Sequence, residues 1–129
     1  MRQKAAAGEK PLIWVGASKR DLLAMPQAVI RHIGGALSVA QYGGKHPDAK
    51  PWKGLGPGVF EVVSDFEANT FRAVYALRLE RAIYVLHCFQ KKSPSGIPTA
   101  NTDVKLIGRR LKAALDDYEV RYAQAQQKR

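Results

Sequence analysis

Three short segments rich in β-branched and aromatic residues, 59–66, 70–79 and 82–89, follow one another with only Glu67-Ala68-Asn69 and Glu80-Arg81 between them. Gaps of turn length let each segment fold back beside the last, so the stretch predicts an antiparallel three-stranded meander. Strands that alternate in direction bring the end of one beside the start of the next. Lys53 just before the first segment, Arg72 early in the second, and Lys91 and Lys92 after the third are therefore expected to share one region of the sheet. The product is a cationic cluster on or at the edge of a small sheet.

The flanking sequence supplies helices to cover it. Leu12-Ile13-Trp14-Val15 suits a first strand stopped by Gly16. Ser18 followed by Asp21 reads as a capping-box start for a short helix through Met25, and Pro26 as the first position of a second helix. Ile30, Ile33 and Leu37, widened by Val29 and Ala40, give that helix its apolar face. The Gly34-Gly35 pair within it implies close approach of another backbone or a bend. Residues 42–57 lose periodicity and form a long polar loop holding Lys45, His46, Lys50 and Lys53. After the irregular segment 93–98, a last helix opens between residues 99 and 102. Val104, Ile107, Leu111, Leu115, Tyr118 and Tyr122 form its stripe, and Lys105, Arg109, Arg110 and Lys112 lie on a solvated face. Residues 1–10 and 123–129 are expected to be loose. The expected fold is one α+β domain over residues 1–129: the meander plus the N-terminal strand, packed against two N-terminal helices and a C-terminal helix.

Charge narrows the partner class. Twenty-one Lys and Arg against 11 Asp and Glu give a net +10, a field that favours RNA, DNA, a ribosomal surface or an acidic protein. The single cysteine, Cys88, excludes an internal disulfide and fits a reducing compartment. No run has the length of a membrane span, so a soluble, cytoplasmic protein without membrane contact is expected. His32, His46 and His87 are scattered, which predicts neither a metal site nor a cofactor. Lys53-Gly54-Leu55-Gly56 opens a strand instead of a helix and so is no phosphate loop.

The Lys53-Gly54-Leu55-Gly56 turn leading to Gly58-Val59-Phe60-Glu61, the strand Phe71-Arg72-Ala73-Val74-Tyr75, and Leu86-His87-Cys88-Phe89-Gln90-Lys91-Lys92 followed by Ser93-Pro94 carry a likeness. In order and spacing they resemble the phage-derived Gp49-like or HigB-like proteins of the RelE/ParE superfamily of type II toxin–antitoxin toxins. The resemblance spans roughly residues 10–122 and implies a RelE/ParE-like fold. It also implies a cytoplasmic toxin that cleaves messenger RNA on the ribosome, arrests translation, and is neutralised by a helix-turn-helix, HigA-like antitoxin. Position by position, Arg72 corresponds to the strand arginine that stabilises the scissile phosphate. Lys91 and Lys92 match the basic residues at the end of the last strand, Lys53 the lysine of the pre-strand turn, and His87 the histidine of the Leu-His-x-Phe motif. Glu61 and Val63 stand where RelE carries strand lysines, and a late tyrosine has no counterpart beyond Tyr118 or Tyr122.

The chemistry this implies needs no metal. A 2′-hydroxyl must be aligned with phosphorus, a proton removed, the phosphorane oxygens stabilised and the leaving oxygen protonated. Arg72 suits the oxyanion role because its planar fork holds two phosphate oxygens. Lys53, Lys91 or Lys92, crowded by other cations, suits proton transfer. Histidine as a residue type suits proton transfer near neutrality, which makes His87 a catalytic candidate, but it sits between apolar neighbours, which favours packing. Lys45, His46, Lys50 and Lys53 are the expected RNA contacts. Strand alternation puts Arg72 on the face opposite Tyr75, so Arg72 is assigned to the site and Tyr75 to the core. Three classes stay open: a ribosome-dependent endoribonuclease toxin, a ParE-like toxin that blocks gyrase through protein contacts, and a non-toxic basic phage-related binding protein.

Overall fold

A computed structural model of the chain describes residues 8–77, 79–91 and 99–123. The elements run β1 (Leu12–Trp14), α1 (Ser18–Leu23), α2 (Gln27–Gln41), β2 (Ala49–Pro51), β3 (Val59–Phe66), β4 (Asn69–Ala76), β5 (Ile83–Lys91) and α3 (Asn101–Tyr118), which ends in a π-helical turn (Glu119–Ala123). One mixed sheet of five strands results, ordered β1-β5-β4-β3-β2.

The sheet differs from the small antiparallel one expected. β1 runs parallel to β5, with Leu12 beside Ile83 and Trp14 beside Val85. β2 lies inside what reads as a loop, because Ala49-Lys50-Pro51 has neither β-branched nor aromatic residues. An edge position makes this possible: only one side of β2 pairs, through Ala49 to Val62 and Pro51 to Phe60, and proline is tolerated there. β3 and β4 turn on Glu67 and Ala68, both with positive φ, the geometry of a two-residue hairpin loop.

Helices cover both faces of the sheet. Strand alternation sends Val62, Phe71, Ala73, Tyr75, Ile83, Val85 and Cys88 to one side, where Leu22 of α1 and Val29, Ile33 and Leu37 of α2 bury them. The other set, Val59, Val74, Ala76, Tyr84, Leu86 and Phe89, packs under Ile107, Leu111 and Ala114 of α3. The outcome is a three-layer sandwich with α3 alone on its face.

Several local expectations are revised. Ser18 does not cap α1; its hydroxyl donates to the Val85 carbonyl at 3.1 Å, tying the helix to β5. Pro26 precedes α2 in extended backbone, and Gln27 is the first helical residue. Val104 is exposed, whereas Ala114 joins the stripe in its place. Ala123 ends the π-helical turn, and the Gln41 carbonyl at the end of α2 accepts from the Lys10 amide at 2.7 Å. The rest of the expected loose ends, residues 1–7 and 124–129, lies outside the described residues, as do Arg78 and the 93–98 segment.

No neighbouring atom lies within 4 Å of where a Cβ would stand on Gly34 or Gly35, so close backbone packing is not the reason for the pair. Gly35→Ala is accordingly expected to raise stability by about 0.5–1 kcal/mol, the propensity difference at an open helical position. Chemical denaturation of the two chains side by side measures it.

The far end of α3 is fastened by a polar cluster. The Tyr84 hydroxyl donates to Asp117 Oδ2 at 2.6 Å, and Arg121 Nε donates to the same oxygen at 2.6 Å. These two donors, Tyr84 first, hold the Asp117 carboxyl below the usual carboxylate range. No helix among the described residues is long and apolar enough to cross a membrane.

Candidate functional site

The α3-facing side of the sheet carries polar residues that core packing alone does not require. Val63 and Phe89 flank Arg72 across the strands, Lys91 stands opposite Thr70, His87 opposite Val74, and Lys50 opposite Glu61. Directly opposed residues share a face, and diagonal neighbours are about 7–8 Å apart. Arg72 therefore has His87 and Lys91 as diagonal neighbours on one surface, with Lys50 at its β2 edge.

Arg72 is held by a counterion. Its Nη1 donates to Glu61 Oε1 at 2.7 Å, and the two side chains are only 15% and 9% exposed. Arg72 Nε is buried and has no partner among the described residues. Glu61, which in sequence marks only a missing lysine, thus neutralises Arg72 while leaving an N–H of the guanidinium without an acceptor.

His87 faces α3 because of an irregularity in the ladder. Val74 pairs with His87 but Tyr75 pairs with Val85, so Leu86 is an extra residue and both Leu86 and His87 turn to the same side. His87 Nε2 lies 2.8 Å from Asp103 Oδ1. Arg110 Nη1 donates to the Leu86 carbonyl at 2.9 Å and stands 3.4 Å from His87 Nδ1. An arginine can only donate, so Nδ1 accepts and Nε2–H donates to Asp103. The ring also stacks on Phe89, with centroids 4.5 Å apart and planes 12° from parallel. Both nitrogens are engaged, and the imidazole fastens the first turn of α3 to β5. Arg110 needs Gly16 for its position: a Cβ there would stand 2.9 Å from the guanidinium, and Gly16 has φ +57 besides.

The remaining sequence candidates divide. Lys91 is half-buried at the end of β5, Lys50 and Lys53 are exposed, and Lys92 lies outside the described residues. Lys45 and His46 sit behind the sheet. Lys45 Nζ stands 5.5 Å over the Phe60 ring, and His46 meets His32 of α2 edge-on with centroids 5.8 Å apart. Phe60 and α2 both belong to the face opposite Arg72, so the expected RNA contacts do not form one surface.

Where β1 stops, the outer edge of β5 opens to a groove of about 550 Å³, lined by Asp21 and Met25 from one side and Phe71, His87 and Phe89 from the other. Cys88 borders it but is 1% exposed, and burial pushes its thiol up to about 12, which removes it as a nucleophile near neutrality.

Sequence reasoning missed Glu61, Asp103 and Arg110. Asp103 and Arg110 are seven residues apart on one helix, a spacing that places both on one face and was available as a signal.

Fold and site together describe a small basic α+β domain with a partly neutralised cationic sheet face. The family model described as Phage derived protein Gp49-like (DUF891) matches residues 20–112. The chain belongs to this phage-derived Gp49-like family, which is associated with RelE/ParE-type toxins. No curated protein and no solved structure matches it.

Proposed function

We propose that the chain is the toxin of a type II toxin–antitoxin pair and cleaves messenger RNA on the ribosome at the α3-facing sheet surface, by metal-independent attack of the 2′-hydroxyl. The observation that carries this reading is Arg72 Nε, a buried donor without an acceptor, on the face shared with His87 and Lys91. An arginine fixed by Glu61 at Nη1 is oriented before substrate arrives; its side chain is 15% exposed, and a phosphate oxygen entering there would meet a guanidinium that Glu61 leaves short of acceptors. Lys91, with Lys92 beyond it, is the group for proton transfer. Lys50 and Lys53 contact the RNA backbone. His87 acts by position, holding Phe89 and α3 in place. A helix-turn-helix, HigA-like antitoxin would neutralise the toxin by covering the same basic face.

A second reading has its own observation: the Glu61 ion pair already neutralises Arg72, as in a structural arginine of a non-enzymatic basic binding protein. Induced expression in a bacterial host, with RNA ends mapped, separates the two. Growth arrest with cuts inside translated messages is expected. Arg72→Lys, which keeps a cation beside Glu61 but loses the fork, should lower cleavage about 100-fold in a chain that still folds, the cost of one oxyanion donor. Unharmed growth sinks the toxin reading, and arrest with intact messages but stalled replication transfers it to a ParE-like block of gyrase.

A further inference from the structure

His32 and His46, unrelated by spacing, meet on the α2 side of the sheet together with Asp48. Each offers one donor atom, and the three atoms lie within 4.8 Å of one another. His32 Nε2 stands 2.8 Å from Asp48 Oδ2, and His46 Nδ1 stands 3.9 Å from that same oxygen. Three elements contribute: α2 supplies His32, the loop before β2 supplies His46 and Asp48, and β3 supplies Ser64 behind them.

Ser64 separates this group from a chance surface cluster. It is 3% exposed, and its hydroxyl oxygen is 2.7 Å from His32 Nδ1. With no ion bound, Nε2–H donates to Asp48 and the Ser64 hydroxyl donates to Nδ1; in the other tautomer Nδ1–H donates to Ser64, and the Nε2 lone pair stands beside the Asp48 carboxylate, where one cation could be held by both. A hydrogen-bond acceptor behind a ligating imidazole fixes its tautomer and ring plane, and the Ser64 hydroxyl oxygen can fill that place here. His46 Nδ1 accepts the Asp48 amide at 3.0 Å, an exposed bond that ligation through Nδ1 would exchange for a metal bond.

We propose that His32, His46 and Asp48 form a binding site for a divalent transition-metal ion of the zinc, cobalt or nickel class. Two imidazoles and one carboxylate suit such ions, and the exposed side of Asp48 leaves a position for water. Ligand atoms around a tetrahedral ion with bonds of about 2.1 Å stand roughly 3.4 Å apart. Two of the separations are 2.8 and 3.9 Å and all three donor atoms lie within 4.8 Å of one another, so a shift of the loop toward α2 closes the site. The ion would tie the loop to α2 and so hold the start of β2. The site lies on the sheet face away from Arg72, and its role is structural. It is independent of the RNA chemistry.

The test uses the full chain without a histidine tag. Zn²⁺ alone, titrated at neutral pH against a chromophoric chelator, is expected to bind one ion per chain with micromolar or tighter affinity and to raise the melting temperature. Co²⁺ in its place should give the visible absorption bands of a four- or five-coordinate nitrogen and oxygen site. His46→Ala, in a loop where folding is least at risk, should weaken binding at least 100-fold, and Ser64→Ala about 10-fold. Failure to bind one equivalent, or binding that His46→Ala and Asp48→Asn leave unchanged, overturns the proposal and marks any uptake as adventitious.

Discussion

Glu61→Ala is expected to lower the free energy of unfolding by about 3 kcal/mol, the lower end of the cost of stranding one member of a buried ion pair. The reason lies in the asymmetry between making such a pair and breaking it. Desolvating both charges offsets most of their attraction, so the intact pair adds little net stability. Removing Glu61 strands the guanidinium of Arg72, whose side chain is 15% exposed in the parent chain, with Nε already without an acceptor and Nη1 newly so. Arg72→Ala strands Glu61 in the same way and should cost a similar amount. Replacing both residues at once, Glu61→Leu with Arg72→Met, removes both charges together and should regain most of the loss. Urea unfolding of the two single variants and the double variant measures this. A loss of less than about 1 kcal/mol in Glu61→Ala would show that the pair behaves as a solvated one. The result bears directly on function. A dead Arg72→Ala chain says nothing of catalysis until its folded fraction is known, whereas Arg72→Lys keeps a counterion for Glu61 and isolates the loss of the fork.

The parts of the fold that were legible in the sequence share one property: their signal is periodic. Alternation in the 70–79 segment separated Arg72 from Tyr75, and the structure puts Tyr75 at 0% exposure among the α2-facing residues and Arg72 on the α3 side. Period 3.6 likewise found Ile33 and Leu37 in α2 and Ile107 and Leu111 in α3, all buried. What stayed hidden depends on breaks in period or on distant pairing. Counting by twos assigns His87 to the side of Val85 and Ile83, but the extra residue at Leu86 reverses it, and nothing in Leu86-His87-Cys88 announces a bulge. β2 is held by its partner strand alone, so no local propensity betrays it. That unseen strand decides the fate of the long loop: Lys50 within β2 comes to the face of Arg72, whereas Lys45 and His46 before it stay behind the sheet. Arg110 reads as one of four cations on a solvated face, and only the approach of β5 and Gly16 shows that it is half-buried and bonded.

Stability should hold nearly level from neutrality to about pH 9 and then fall by several kcal/mol toward pH 12, because three buried acids keep their protons in the folded chain. Burial pushes the Tyr75 hydroxyl from 10.0 up to about 12 and the Cys88 thiol from 9.0 up to about 12. Tyr84 is raised as well, first by burial and then by its bond to Asp117. For each group the folded-state value lies above the unfolded one. Below the unfolded value both states hold the proton and the contribution is fully present. Above it the unfolded chain releases the proton and the folded one does not, so stability is lost as pH rises, at up to about 1.4 kcal/mol per pH unit for each group. Variants separate the three contributions. Tyr75→Phe removes a hydroxyl that has no partner among the described residues. It should raise neutral-pH stability by about 1 kcal/mol and make the alkaline fall shallower. Tyr84→Phe breaks the bond to Asp117 and should be less stable at pH 7, yet lose less above pH 10. Cys88 in the native chain should resist thiol reagents at neutral pH and react once denaturant exposes it. Urea titrations at intervals from pH 7 to pH 12 give the whole curve. A parent chain as stable near pH 11 as at pH 8 would show that these side chains reach water in the folded state, and that the two apolar layers are not closed over β4 and β5.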